Sequence, residues 1–408
     1  MRSSNYPGFI VLLLCLVAVG CDSSTAKKVS PTQLPDADSG EVAAGAKSSI
    51  SEEDALAFSK AWVEAIDSGD DTKANELIAW REILTRTFDS FDVSPRDKKG
   101  MMSGALGATS KFSEAIHKSV EGGGNYQMVR AYPRGGEMFA LFRLVDPESA
   151  FNYHLLRLRR VRGQTRADQF FVALTGQEMA DTFRDLIAPG VSSQSLVGRM
   201  SGAQKKADDE MEQQLGMKRA IDAGQKKKAL RIYSSMSEEL RKKKVPMLYK
   251  IQATPVEDEE AYGKAVEEYI AAFPGDSAVG IMTLEAGVLR EDPEMLVQGY
   301  EALAKWTGGD PYLDLMVAAN LVSMDRMDKA LEMSGPVDPS SMGFADPHRF
   351  KLSIALEVND HKESLKQLRV LRDEFGFQFD DLRTAEGFEP FVKSPQFQEW
   401  EAEQGSAR

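Results

Sequence analysis

The chain is short of cysteine. There are two, Cys15 and Cys21, and none after residue 21. A body without thiols has no disulfide, no cysteine-held metal and no cysteine nucleophile. Histidine is also scarce, at four residues: His117, His154, His348 and His361. His348 and His361 are separated by a helical stretch and lack a flanking acidic ligand pattern. Long apolar runs are missing. The one from Phe9 to Val19 has eleven residues, whereas a membrane span needs about 20. There is no Gly-x-x-x-x-Gly-Lys-Ser/Thr loop, no Gly-x-Gly-x-x-Gly after a strand, no Gly-x-Ser-x-Gly elbow and no His-Glu-x-x-His. The expectation is a protein that is not an enzyme and carries no cofactor or metal. Positive charge is in deficit too. Fifty Lys and Arg face 63 Asp and Glu, a net charge of −13. That argues against a general nucleic-acid binder.

The apolar run has the length of a signal-peptide core. Arg2 precedes it, and Ala18-Val19-Gly20-Cys21 follows on its last residues. This segment resembles the signal of bacterial lipoproteins, in which a small-residue box ends in the cysteine that becomes lipidated. The resemblance implies a signal peptide over 1–20, lipidation at Cys21, and a location in the bacterial cell envelope. The body would face the periplasm or the exterior, held to the membrane through lipid. Each buried acyl CH₂ contributes about 0.8 kcal/mol, and stable anchoring takes more than one chain. An ordinary secretory signal is the alternative. Residues 21–50 are rich in Ser, Ala, Pro, Gly and Asp and poor in large apolar side chains. Such a stretch cannot offset its chain entropy by burial, so it reads as a disordered tether.

From Ser51 the pattern is that of a folded domain. Ser51 with Asp54 forms a capping box, and Leu56, Trp62, Val63 and Ile66 recur at helical spacing up to Gly69. Helices are expected over 71–78, 80–91 and 95–120. After Gly122-Gly123-Gly124 the period changes to two, predicting four strands over 126–132, 137–145, 151–161 and 168–174. Their short joints require antiparallel neighbours. A closing helix over 177–187 completes an α+β domain spanning 51–190. Its order of elements is similar to nuclear-transport-factor-2-like and cystatin-like domains, which implies a cone with a pocket. One functional reading pairs His117 and His154 there with Asp168 or Glu137; the other leaves each histidine packed or at the surface. Arg157, Arg159, Arg160, Arg162 and Arg166 crowd one strand and its turn, either as an anion-binding patch or as a charged hairpin edge.

The region 200–400 repeats. Asp276 and Asp310 lie 34 residues apart, as do Leu331 and Leu365, Asp325 and Asn359, and Glu291 and Asp325. "ANLVSMDRMDKALEM" (Ala319 to Met333), with Ala330 at a close helix crossing, resembles the tetratricopeptide repeat. "AGQKKKALRIY" (Ala223 to Tyr233) and "GKAVEEYIAAFPGD" (Gly263 to Asp276) are more divergent copies. The resemblance implies an all-α solenoid of stacked helical pairs with a concave binding face. Phe388, Phe391, Phe397 and Trp400 read as a C-terminal cap.

Charge is uneven. Residues 196–250 hold 14 Lys or Arg against 7 Asp or Glu, and residues 251–408 hold 14 against 31. The basic runs Lys226-Lys227-Lys228 and Arg241-Lys242-Lys243-Lys244 suit either an anionic contact or a solvated helix surface. Two functions are therefore expected as alternatives. One is a membrane-anchored scaffold that binds a protein or peptide through the repeats. The other is an envelope protein that binds a small molecule in a pocket of the 51–190 domain.

Overall fold

The computed structural model describes residues 50–91, 94–147, 149–184, 203–255, 258–274 and 276–406. The expected signal peptide, Cys21 and the tether up to residue 49 lie outside the described residues, as does 185–187 of the closing helix. The chain is an antiparallel sheet with helices, followed by further helices, and it divides into two compact units, 1–282 and 283–408. The first unit thus takes in the α+β region together with the first helices beyond it.

Five helices precede the sheet: α1 (Glu52–Asp67), α2 (Asp71–Leu77), α3 (Trp80–Asp89), α4 (Pro95–Ala108) and α5 (Ser110–Val120). The capping box that starts α1 is complete. Ser51 Oγ accepts from the Asp54 amide at 3.1 Å, and Asp54 Oδ2 accepts from the Ser51 amide at 3.1 Å. The single helix expected over 95–120 is two. They part at Thr109, which keeps helical angles (φ −67°, ψ −23°). Neither glycine nor proline marks that break. It places Phe112 edge-on to both Trp80 (5.5 Å) and Phe170 (4.7 Å), so tertiary packing sets it.

The sheet has five strands in the order β1 (Asn125–Arg134), β2 (Glu137–Val145), β3 (Phe151–Val161), β4 (Gln164–Val172) and β5 (Gln177–Glu178). All neighbours are antiparallel. Two expectations change. The fourth strand begins at Gln164 instead of 168, because Arg162 and Gly163 alone make the turn, both at positive φ (+53° and +80°). That is the backbone a two-residue hairpin requires. Residues 177–178 form the fifth strand, and the helix starts at 179.

One face of the sheet carries Tyr126, Phe142, Leu144, Leu156 and Phe170 against Trp62, Ile83 and Phe88 of the helices. Each such side chain, fully buried, contributes about 1.5–3 kcal/mol. The same core continues through Met217, Ala229, Leu240 and Tyr249. These belong to α6 (Ala203–Asp222), α7 (Lys226–Ser235), α8 (Glu238–Arg241) and α9 (Lys244–Ala253).

Next come α10 (Glu259–Ala272), α11 (Ser277–Leu289), α12 (Pro293–Thr307), α13 (Pro311–Ser323), α14 (Met327–Ser334), α15 (Ala345–Glu357), α16 (His361–Asp373) and α17 (Pro395–Ser406). A common turn links α11 to α12, α13 to α14 and α15 to α16. In each, one residue takes the left-handed conformation: Glu291 (φ +49°), Asp325 (+58°) and Asn359 (+58°). The next amide reaches back five residues, from Asp292 to Gly287 (2.9 Å), Arg326 to Leu321 (2.9 Å) and Asp360 to Ala355 (2.8 Å). This is the Schellman closure of a helix C-terminus. The 34-residue offset seen in the sequence is the spacing of these turns. The turns from α1 to α2 and from α6 to α7 close the same way, with Gly69 (+65°) and Gly224 (+68°) in the left-handed place.

Four residues beyond each closure lies a buried side chain: Ala74, Ala229, Leu296, Ala330 and Ser364. Leu296 is the large exception. Its backbone presses on Gly287 of α11, where an added Cβ would lie 2.6 Å from Leu296 Cα. Gly299 is matched in the same way against Leu284, also at 2.6 Å from its Cα. Two glycines on facing helices thus make room for two leucines. At the C-terminus Phe391, Phe397 and Trp400 pack with Leu365, Leu368 and Leu371 of α16.

Candidate functional site

His154 and His117 stand in separate surroundings. His154 lies in the core on β3, 2% exposed. Its ring is tilted against Tyr126 and Phe170, with centroids at 5.6 and 5.0 Å. Trp62 Nε1 donates to Tyr126 Oη (3.1 Å), and Tyr126 Oη lies 3.1 Å from His154 Nδ1. Tyr126 Oη thus links the indole to the imidazole. Burial pushes the His154 pKa down to about 3 and raises that of Tyr126. A neutral chain of this kind fastens α1 to the sheet, and no proton is available from it near neutral pH. His117 on α5 binds the Ile66 carbonyl through Nδ1 (2.8 Å) and lies against Gly69, just past the end of α1. A Cβ at Gly69 would meet the His117 ring at 3.1 Å.

Asp168 and Glu137 serve the arginines instead. Arg157 grips Asp168 with two hydrogen bonds, Nε to Oδ1 (2.8 Å) and Nη2 to Oδ2 (2.9 Å). Arg86 of α3 donates to the Asp168 carbonyl. Arg159 pairs with Glu137 and lies 3.6 Å from Asp168. Arg160 Nη2 donates to Asp54 Oδ1 (2.6 Å). Three members of the arginine run are thus paired. Their strand, β3, is interior to the sheet. Nearby Glu178 has its pKa raised, chiefly by burial and then by Asp181.

Arg162 and Arg166 differ from the other three. They line an open cleft of about 520 Å³ together with residues of α2, the first turn of α3, and Leu106 and Thr109 at the α4–α5 break. Arg166 Nη2 donates to Gln164 (2.8 Å), while its buried Nε donates to nothing. The floor includes Ile78, Ala79 and Trp80. Ile78 bridges to Ala167, and the Ala79 amide donates to the Ala167 carbonyl (2.8 Å), which pins the cleft to β4. Trp80 Nε1 donates to Asn75 Oδ1 (2.7 Å). Sequence spacing could not reveal this site, since its walls come from three separated segments.

The basic runs beyond the sheet are partly spoken for. Lys242 pairs with Glu238 (2.6 Å) and Lys243 with Glu210 (3.6 Å). Lys244 pairs with Asp276 and donates to the Gly176 carbonyl (2.9 Å). Burial outweighs Lys244 and raises the Asp276 pKa. In the second unit, buried His348 meets Gln367 Oε1 through Nδ1 (2.7 Å), and Gln367 Nε2 donates to Glu363 (2.6 Å). His361, at the start of α16, lies tilted against Phe391 with centroids at 6.0 Å. Among the described residues no cluster of His, Cys, Asp or Glu could hold a metal, and no helix is long and apolar enough to cross a membrane. Comparison with family models, with curated proteins and with solved structures finds no match.

Proposed function

We propose that this chain is a lipid-anchored scaffold of the bacterial cell envelope that recruits a protein partner through its helical hairpins. The observation that carries the reading is the turn repeated at Glu291, Asp325 and Asn359 with identical closure. Equal spacing and equal closure give successive hairpins the same turn, which favours their stacking into a tetratricopeptide-like solenoid. A concave face built that way binds an extended peptide or a helix in its groove. The anchor is Cys21, the tether is the segment up to residue 50, and the body lies outside the cytoplasm. No catalytic step is assigned.

The rival reading is a small molecule in a cone-shaped pocket of the 51–190 domain, with His154 or Arg157 facing it. It gains no support there, because aromatic rings surround His154 and Asp168 occupies Arg157. Two measurements test the scaffold. Labelled palmitate should enter the wild-type protein in cells and be absent from Cys21→Ser; equal labelling refutes the anchor. A photo-crosslinking residue at the half-buried Lys329 or the exposed Leu331 should capture one envelope protein that the same probe at Lys60 misses. Capture of the same proteins from all three positions refutes recruitment by the hairpins.

A further inference from the structure

We propose that the cleft between α2, the first turn of α3 and the β3–β4 hairpin binds a small zwitterion, an amino acid or short peptide with free amino and carboxyl termini. Its volume of about 520 Å³ falls within the range of roughly 300–1,000 Å³ that holds small molecules. This inference is independent of the scaffold reading, since it uses neither the anchor nor the repeats.

Some charges of the protein are answered by a partner and others are not. Arg157, Arg159 and Arg160 all have carboxylate partners. Arg81, Arg162 and Arg166 line the cleft, and among the described residues none of them makes an ion pair. Arg166 adds the buried Nε that donates to nothing. A buried donor without a partner is unfavourable. Arg162 sits at φ +53°, a left-handed position that is unfavourable for a side-chain-bearing residue. Asparagine or glycine suits that place better. The guanidinium fork is shaped for a carboxylate.

Acids line the same cleft. Glu76 on α2 and Glu82 on α3 also make no ion pair among the described residues. Asp71 has one oxygen engaged by Ser113 Oγ (2.6 Å). The hairpin wall is therefore cationic and the α2 wall anionic. A ligand with a carboxylate alone would meet repulsion from Glu76 and Glu82, and a simple cation would meet it from the arginines. A molecule with both charges satisfies both walls. The N-terminus of α3 adds to the carboxylate end, because its N-cap is Ala79 and no side chain caps its first amides.

The test is calorimetric titration of the purified chain with Ala-Ala, N-acetyl-alanine and alaninamide. The expected result is binding of Ala-Ala, with each singly charged analogue weaker by tenfold or more. Arg166→Gln with Arg162→Gln should weaken Ala-Ala at least tenfold, and Glu76→Gln should weaken Ala-Ala but not N-acetyl-alanine. Unchanged circular dichroism of the variants shows that they fold. No heat from Ala-Ala at millimolar concentration overturns the proposal. So does equal binding of the three probes, or binding unaffected by the double arginine variant.

Discussion

Gly299→Ala should destabilise the second unit, although alanine is the better helix former. In an open helical position the exchange gains about 1 kcal/mol. At Gly299 the new Cβ would lie 2.6 Å from Leu284 Cα, where carbon atoms rest at about 3.5–4.0 Å. The neighbour in the way is backbone, which has no rotamer to change. The two helices must part by roughly 1 Å, and their other contacts loosen with them. Overpacking of a fixed core costs about 1–3 kcal/mol, and backbone against backbone belongs at the upper end. Taking about 3 against a gain of about 1 leaves a net loss of about 2 kcal/mol. For a unit of this size each kcal/mol moves the melting point by about 4 °C, so the expected fall is about 8 °C. Gly100→Ala is the control. That glycine is exposed within α4 and a Cβ there meets nothing within 4 Å, so the variant should gain about 1 kcal/mol. Thermal unfolding followed by circular dichroism reads both. A Gly299→Ala protein that melts at or above the wild type refutes the close crossing and the reasoning built on it.

Three further outcomes follow from named residues. Glu291→Gly should stabilise by about 1 kcal/mol, and Asn359→Gly by less, because asparagine already tolerates the left-handed conformation; urea midpoints at constant slope measure this. His154 stays neutral in the fold down to about pH 3 against an ordinary value of 6.5, so the unfolded chain takes up the proton first. Its contribution is complete above about pH 6.5 and falls as pH drops toward 3, by up to about 1.4 kcal/mol per pH unit. Denaturant unfolding at pH 7, 6, 5 and 4 should show a flatter decline in His154→Gln, and parallel curves would count against it. Lys244→Met should cost about 3 kcal/mol by leaving Asp276 largely buried without its countercharge, and adding Asp276→Asn should restore most of that; equal losses in the single and double variants would show that the pair is not coupled.

Much of the architecture can be read from local chemistry. The Ser51–Asp54 capping box, the strands between glycine- and proline-bearing joints, and the spacing from Glu291 to Asp325 to Asn359 all depend on neighbours in sequence. What escapes such reading depends on distant partners. Thr109 interrupts a helix while keeping helical angles, because Phe112 is drawn to Trp80 and Phe170. The first residues of β4, Gln164 to Arg166, are polar and hide a strand that extends past the core. The arginine run looks uniform in sequence, yet three members are paired and two line a cleft whose other walls start at Asp71 and at Leu106. Charge pairing of that kind is settled only when the segments meet.

The exchange of large for small at Gly287 and Leu296 bears on how such a chain could change over time. At the corresponding places α13 and α14 carry Leu321 and Ala330, the opposite assignment. Hairpins with the same turn and spacing are therefore not interchangeable parts. A recombinant joining α13 to α12 would set Leu321 against Leu296, and one joining α11 to α14 would leave Gly287 facing Ala330 across a void. Each hairpin can be duplicated or moved only as a whole. The unit of inheritance in this region is the matched pair of helices, and a substitution on one partner sets what the other can accept.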